Sequence, residues 1–365
     1  MSYRYQLTFL ATCYLWFIQC GCDPFDTQFD EDEVNVSYYE ASTKLNYSQP
    51  DTILVMTWNI KFGGARIEFF FDCVGDRSLI TEEEVLENLE NIATKIKQVD
   101  PDILLIQEID ILSKRTAYVD QMQWMFDNTN FDYGVYASSW KADYIASDGI
   151  GRVNSGNAIF SKWELKSAER VALPLRTDQA GYVKYFYLQR CIVKATCDIN
   201  SKQIHFLNIH ASAWDTDSTR KKQLNIFKDE LDLVHSDSKT FIAGGDLNTT
   251  PPGSIQLTGF NDQENCEDED YLQDDYTRQT HWVRGLFDDY KPAIPLLLFQ
   301  ANNNPYFTFT SDKDGFWNRK IDYLFTNGSI VDSSGTTYQN LEKGGIETMP
   351  LSDHAPVSFK VVIGN

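Results

Sequence analysis

Thr240-Phe241-Ile242-Ala243-Gly244-Gly245-Asp246-Leu247-Asn248 is the stretch on which the reading of this 365-residue chain turns. An apolar, strand-like run from Thr240 to Gly244 ends in two glycines, which let another backbone come close. Asp246 and Asn248 follow, two positions apart, so both side chains fall at one strand edge or turn. Five more polar clusters sit where a strand-like run ends: Trp58-Asn59, Gln107-Glu108, Asn208-Ile209-His210, Ile321-Asp322-Tyr323 and Ser352-Asp353-His354. Together they supply carboxylates and amides for a hard cation, two histidines and an Asp/Asn pair, the inventory for metal-assisted phosphoryl hydrolysis.

Working outward, strand candidates cover residues 53–60, 103–106, 156–160, 190–196, 204–210, 240–244, 321–325 and 357–362. Thr81 with Glu84 three residues later is a capping box. Val85, Leu89, Ile92, Ile96 and Val99 then follow helical spacing, an amphipathic helix for packing on a sheet. A second helix is expected over 219–234, with Leu224, Phe227, Leu231 and Val234 on one face. Strands outnumber helices, and helices fall between some of them. This predicts an α/β fold, a four-layer sandwich of two packed mixed β-sheets flanked by helices. Clusters from Asn59 to His354 belong to one site, so 51–365 reads as one catalytic domain.

The order of the six clusters resembles the endonuclease/exonuclease/phosphatase superfamily, over about residues 51–365. That superfamily includes pancreatic deoxyribonuclease, abasic-site endonucleases, secreted sphingomyelinases and inositol polyphosphate 5-phosphatases. The resemblance implies a Mg²⁺- (or Mn²⁺-) dependent phosphoesterase using in-line attack of water. Glu108, a carboxylate at a strand end that is costly unless solvated or bound to a cation, reads as the principal metal ligand, with Asn59 offering a neutral oxygen. By resemblance Asp353 joins the metal shell. Asp246 and Asn248 orient or deprotonate water and bind phosphate. His354, with Asp322 as orienting partner, contacts the scissile phosphate or activates water. His210 matches the secreted nuclease and sphingomyelinase branch, stabilising the phosphorane-like charge or protonating the leaving group. His205, five positions before His210, faces the other side of the strand and reads as structural, and His235 and His281 read as surface residues.

Asn157, in Ser155-Gly156-Asn157-Ala158, matches a segment of the phosphodiesterase branches and is expected to shape the substrate side. Arg66, Arg77, Lys114, Arg115, Arg176 and Arg190 are phosphate-binding candidates. Arg66 and Arg77 rank first because they lie in the insertion just after Asn59. Lys61 stands where the abasic endonucleases carry an acid, which argues against that branch and against a second metal subsite. The favoured substrate is a phosphodiester in nucleic acid or a lipid headgroup. The alternatives are an inositol-type phosphomonoester, or a non-catalytic surface protein on the same fold.

Residues 1–22 read as a secretory signal: Arg4, an apolar run from Leu7 to Ile18, then Gln19-Cys20-Gly21-Cys22. The run is shorter than the ~20 residues a membrane span needs. The cysteines suggest a bacterial lipoprotein signal, with Cys22 (or Cys20) lipidated. Residues 23–50 begin with Asp23, Asp26, Asp30, Glu31, Asp32 and Glu33 and read as an acidic flexible tether. The expectation is a monomeric enzyme, without an obligate protein partner, exported to a bacterial envelope and anchored to the membrane by lipid. The formal charge of −21, from 32 basic and 53 acidic residues, disfavours polyanion binding. Cys191 and Cys197 share a strand and are about 20 Å apart if it is straight, too far to bridge; export allows a disulfide elsewhere without demanding one. Residues 261–304 carry an acidic cluster and read either as a solvated surface insertion or as a lid.

Overall fold

The structure, a computed structural model, describes residues 36–73, 75–264, 266, 273–340 and 346–364. Two sheets lie face to face. The first, in spatial order, contains β1 (Ser37–Glu40), β4 (Tyr133–Ile145), β5 (Gly151–Ser161), β3 (Ile103–Asp110), β2 (Thr52–Asn59), β14 (Val357–Val362) and β12 (Ser329–Ile330), with β13 (Thr336–Thr337) also paired to β14. The second runs β10 (Lys291–Pro292), β11 (Asp322–Thr326), β9 (Thr240–Asp246), β8 (Lys202–His210), β7 (Cys191–Ile199), β6 (Leu165–Ala172).

Strand alternation builds the layers. Ile53, Val55, Ile103 and Leu105 of the first sheet meet Val193, Phe206, Ile242 and Leu324 of the second in a core between the sheets. The alternate residues Met56, Trp58, Leu104 and Ile106 face outward, against Ile92 and Ile96 of helix α1 (Glu82–Val99) and Met122 and Met125 of α2 (Gln121–Asn128). The six-residue α3 (Gly181–Phe186) precedes β7, and the 18-residue α4 (Thr219–Ser236) lays Leu224, Phe227 and Leu231 over Ile209, Phe241 and Phe325 on the outer face of the second sheet. Both faces of the central strands are buried, which explains their nearly continuous apolar sequence. The four-layer sandwich expected from the sequence is therefore the fold, and α1 begins at the Thr81–Glu84 capping box.

The two sheets are tied together at the end that carries the polar clusters. Asn208 donates through Nδ2 to the carbonyls of Ile106 (2.7 Å) and Ala158 (2.8 Å) across the sandwich, and accepts from Gln107 Nε2 at 2.6 Å. Gly244 and Gly245 make the neighbouring strands possible. A Cβ on Gly244 would lie 1.9 Å from the Tyr323 carbonyl, and one on Gly245, at φ +133°, would lie 2.0 Å from that of Ile209.

The N-terminal boundary differs from expectation. Residues 36–50 do not form a tether: Ser37–Glu40 pairs antiparallel with β4, Tyr39 stacks on Phe126, and the Leu45 and Asn46 amides donate to Asp132. The edge of β4 would otherwise present unpaired backbone, and β1 covers it. The signal, Cys20, Cys22 and the acidic run 23–33 lie outside the described residues. No helix among the described residues is long and apolar enough to cross a membrane.

Cys73 and Cys266 form a disulfide that links the insertion after β2 to the 261–304 segment, while Cys191 and Cys197 are buried and free. Two described acids of that segment are not solvated. Asp262 and Asp274 both pair with Arg319, at 3.0 Å each, and the guanidinium is 1% exposed. Asp274, one acid of the cluster read as surface, is thus, with Asp262, the counter-charge of a buried cation.

Candidate active site

Parity explains how the site assembles. Ile204, Phe206 and Asn208 of β8 point between the sheets, and so does His210; Ile242 and Gly244 of β9 lead in the same way to Asp246, and Leu324 of β11 shares its side with Asp322. Parallel pairing sets His210 opposite Asp246, and antiparallel pairing sets Asp246 opposite Asp322. On the first sheet Asn59 pairs with Gln107.

Glu108 reaches this group through a β-bulge. Simple alternation would aim it outward with Ile106, but the register between β3 and β5 shifts between Ile106 and Ile109, and Glu108 adopts φ +57°. The extra residue re-aims its side chain. His205 has the opposite parity to His210 and sits on the outer face beside α4, with Lys194 and Glu230 nearby.

Asp246 is the hub. Its Oδ1 accepts from the Asn248 amide at 2.9 Å, and its Oδ2 lies 3.1 Å from Asn248 Nδ2, 3.2 Å from Asn59 Nδ2 and 3.2 Å from His210 Nε2. Burial works to raise its pKa, but His354, His210 and these hydrogen bonds outweigh it and hold the carboxyl below its usual range. Asn59 Nδ2 also donates to Glu108 Oε1 at 3.2 Å, while its Oδ1 accepts the Lys61 amide at 3.0 Å.

His354 forms a buried dyad with Asp322, Nδ1 to Oδ2 at 2.9 Å, and its Nε2 is 3.7 Å from Asp246 Oδ2 and 3.9 Å from Asp353 Oδ1. Burial lowers its pKa, yet Asp322, Asp246 and Asp353 together raise it to about 10. Burial also raises Asp322, against the pull of His354. One proton therefore stays on the pair through neutral pH. It belongs on the imidazole, which faces three carboxylates. Trp58 Nε1 donates to the His354 carbonyl at 2.9 Å and Ser352 Oγ to the Asn59 carbonyl at 2.8 Å, so the core of the first sheet fixes the dyad's position.

Glu108, Asn157, Arg190, His210, Asp246, Asn248, Asp353 and His354 border one cleft of about 160 Å³; Asn59 and Asp322 stand behind it. Lys61 Nζ, buried at its edge, lies 2.8 Å from Asp72 and 3.5 Å from Asp353. Burial raises the Asp353 pKa, but Lys61, His354 and Arg66 more than reverse this and keep it low. Asp246, Asp322 and His354 offer donor atoms all within 4.8 Å of one another, a group that could hold a metal ion. The cleft adds hard oxygen donors from Glu108 and Asp353, a set that suits Mg²⁺ or Mn²⁺.

Two arginines ranked first in the sequence are not in the cleft. Arg66 donates through Nη1 to the carbonyls of Thr310 (3.0 Å) and Ser352 (3.1 Å), and through Nη2 to that of Asp312. It fastens a loop, because a guanidinium satisfies several backbone carbonyls at once. Arg77 makes a bidentate surface pair with Glu84 at 2.8 and 2.9 Å. Arg190, ranked lower, lines the cleft buried, with one 3.5 Å hydrogen bond to the His210 carbonyl and no ion pair among the described residues. Burial lowers its pKa, and an anion would compensate such a charge. Its place in Gln189-Arg190 at the head of β7, just before an inward-facing strand, was the available signal. Asn157 is 1% exposed; its Nδ2 donates to the Cys191 carbonyl and its Oδ1 has no partner. The aromatic lining, including Phe309, whose ring is tilted 57° to that of His354 with centroids 4.7 Å apart, was not legible from motifs.

A sequence model of the Endonuclease/Exonuclease/phosphatase family matches residues 56–354. The chain belongs to this family. The match runs from β2 to His354 and takes in all six polar clusters. No curated protein matches the chain. Among solved structures, the endonuclease/exonuclease/phosphatase from Beutenbergia cavernae DSM 12333 is 17% identical with a TM-score of 0.53, over 87% of this chain and 72% of its own. A family protein from Leptotrichia buccalis C-1013-b is 16% identical with a TM-score of 0.52, over 85% of this chain and 99% of its own. The endonuclease/exonuclease/phosphatase from Bacteroides vulgatus is 13% identical with a TM-score of 0.51, over 86% and 99%. At these identities the likeness is one of fold. Family membership places the chain among divalent-metal-dependent phosphoester hydrolases.

Proposed function

We propose that the chain is an exported, Mg²⁺- or Mn²⁺-dependent phosphodiesterase that attacks its substrate with water in line with the leaving oxygen. The observation that carries this reading is the convergence of Glu108, His210, Asp246, Asn248, Asp353 and His354 on one cleft. Glu108 and Asp353, with Asn59 once its carboxamide oxygen turns toward Glu108, would hold the cation, which when bound polarises a phosphoryl oxygen. Asp246 stays ionised and orients the attacking water, taking up its proton. His354, protonated at neutral pH, donates a hydrogen bond to a non-bridging oxygen as charge builds there. His210, 3.2 Å from Asp246 and 3.8 Å from Glu108, is placed to protonate the leaving oxygen. Arg190 takes the remaining phosphoryl charge.

A diester is favoured over an inositol-type polyphosphate because Lys61 and Arg115 are committed to ion pairs and Arg190 is the cleft-lining cation that is not. The Cys73–Cys266 disulfide supports export, since such bonds persist in oxidising compartments. The lipid anchor at Cys22, the envelope location and a monomeric state complete the proposal. The test is hydrolysis of bis-p-nitrophenyl phosphate against p-nitrophenyl phosphate by the full chain in Mg²⁺. Faster turnover of the diester is expected, and faster turnover of the monoester would reverse the assignment. Intact mass of the envelope fraction, with Cys22→Ser and Cys20→Ser variants, tests the anchor. An unmodified soluble wild-type protein would refute it.

A further inference from the structure

Resting on the phosphodiesterase reading, we infer that the cleft selects a single nucleotide-sized ester, a flat base with N–H donors and a sugar with O–H donors beside one phosphate, rather than a nucleic-acid polymer or a phosphocholine headgroup.

Three observations converge. The first is the wall. Phe69, Phe71, Trp140, Tyr187 and Trp214 line the same cleft as the catalytic residues. Phe71 is 38% exposed, while Phe69 and Trp140, at 3% and 5%, are buried and support the wall from behind. Apolar surface left open beside a polar site marks a binding face. The wall is also held in place. Trp140 Nε1 donates to the Phe186 carbonyl at 2.7 Å. Phe69 packs edge-on to Phe71, with centroids 5.8 Å apart, and rests on Arg115, which is locked to Asp110 at 2.8 and 2.9 Å. Preformed aromatic faces bind flat rings with little ordering cost.

The second observation is charge. Arg115 and Lys61 are already paired, leaving Arg190 to meet one phosphate, and the chain carries a net −21. A polymer would bring several phosphates to a cleft whose other lining cations, Lys61 and Arg115, are already paired. The third is Asn157 Oδ1, a buried acceptor at the cleft wall without a partner. Leaving it unpaired in the complex would be costly. A base or ribose offers it a donor, whereas phosphocholine and an acyl chain offer none.

The experiment is calorimetric titration of the full chain in Mg²⁺ with thymidine 5′-monophosphate, ribose 5-phosphate, inorganic phosphate, phosphocholine and a DNA duplex. The nucleotide should bind about 10- to 100-fold more tightly than ribose 5-phosphate or phosphate, the range expected for one stacked base. Trp140→Leu and Phe71→Ala should each erode that ratio while leaving phosphate affinity in place. Thermal melts identify a variant that fails to fold, and Tyr187→Ala, at a partly exposed position, then stands in for it. Equal affinity for nucleotide and phosphate, tighter binding of phosphocholine or duplex, or a ratio unchanged in the folded variants would overturn the inference. A nucleotide preference in a protein that turns over no ester would instead count against the phosphodiesterase reading and leave the binding assignment standing.

Discussion

The strand ends and the insertion after Asn59 teach opposite lessons. At the strand ends, identity and parity decide where a side chain goes, because a β-strand has two faces and the sandwich fixes which one meets the cleft. His210, Asp246 and Asp322 all arrive from the inward face of the second sheet. In the insertion no period constrains direction, and three cations within seventeen residues have three fates. Lys61 joins Asp72 and Asp353, Arg66 binds carbonyls, and Arg77 meets Glu84 at the surface. Charge type there indicated phosphate binding, yet the arginine that lines the cleft is Arg190.

The sharpest way to break this contrast is on β8 and at the dyad. His354→Ala and His210→Ala should each lower kcat by about 10² to 10⁴, the usual contribution of a general acid or base. His205→Ala, its side chain on the outer face, should leave kcat unchanged. A steady-state comparison at equal thermal stability decides, and an equally crippled His205 variant would show that parity does not assign the site.

Among the arginines, Arg190→Met should reduce kcat/KM by about 10- to 100-fold, the scale of a hydrogen bond to a charged group, mainly through KM. Arg66→Ala should act through the fold, lowering stability by about 1–3 kcal/mol because buried carbonyls lose their donor. Arg77→Ala, a half-exposed pair, should cost at most about 1 kcal/mol. Denaturant melts alongside kinetics separate the three. An Arg66 variant of normal stability with a raised KM would restore the ranking drawn from the sequence.

A smaller effect lies in pH. His354 has a folded pKa of about 10, above the ordinary value of about 6.5. The stabilisation from its protonated form is thus fully present below about pH 6.5 and lost as pH rises through about 10. Asp322→Asn removes the foremost group raising that pKa, so both the alkaline limb of the rate profile and the alkaline decline in melting temperature should move to lower pH. Unmoved limbs would mean that the proton is held elsewhere.

Much of the fold was legible because the buried strands are apolar and bounded, and the capping box marks the start of α1. What was not legible has physical causes. β4 carries Gly134, Ala137, Ser138 and Ser139 on a strand that is largely buried, so small and polar residues hide its period. β1 is placed by its pairing with the β4 edge, a contact that its own sequence does not announce. The bulge at Glu108 leaves no mark in composition, and the disulfide joins residues 193 positions apart. Asn208 and Gln107, which lock the two sheets together beneath the site, belonged to recognised clusters, but a bond across the sandwich depends on how the layers meet.

The central claim is that the strand-end carboxylates hold a divalent cation for hydrolysis, and its most direct test is bis-p-nitrophenyl phosphate turnover by wild type and Glu108→Gln, titrated with Mg²⁺ after EDTA treatment. The account predicts that wild type loses turnover in EDTA and regains it with Mg²⁺, while Glu108→Gln needs far more Mg²⁺ and recovers only a small fraction. Undiminished wild-type turnover in excess EDTA, or a Glu108→Gln variant with the wild-type Mg²⁺ response, would contradict it.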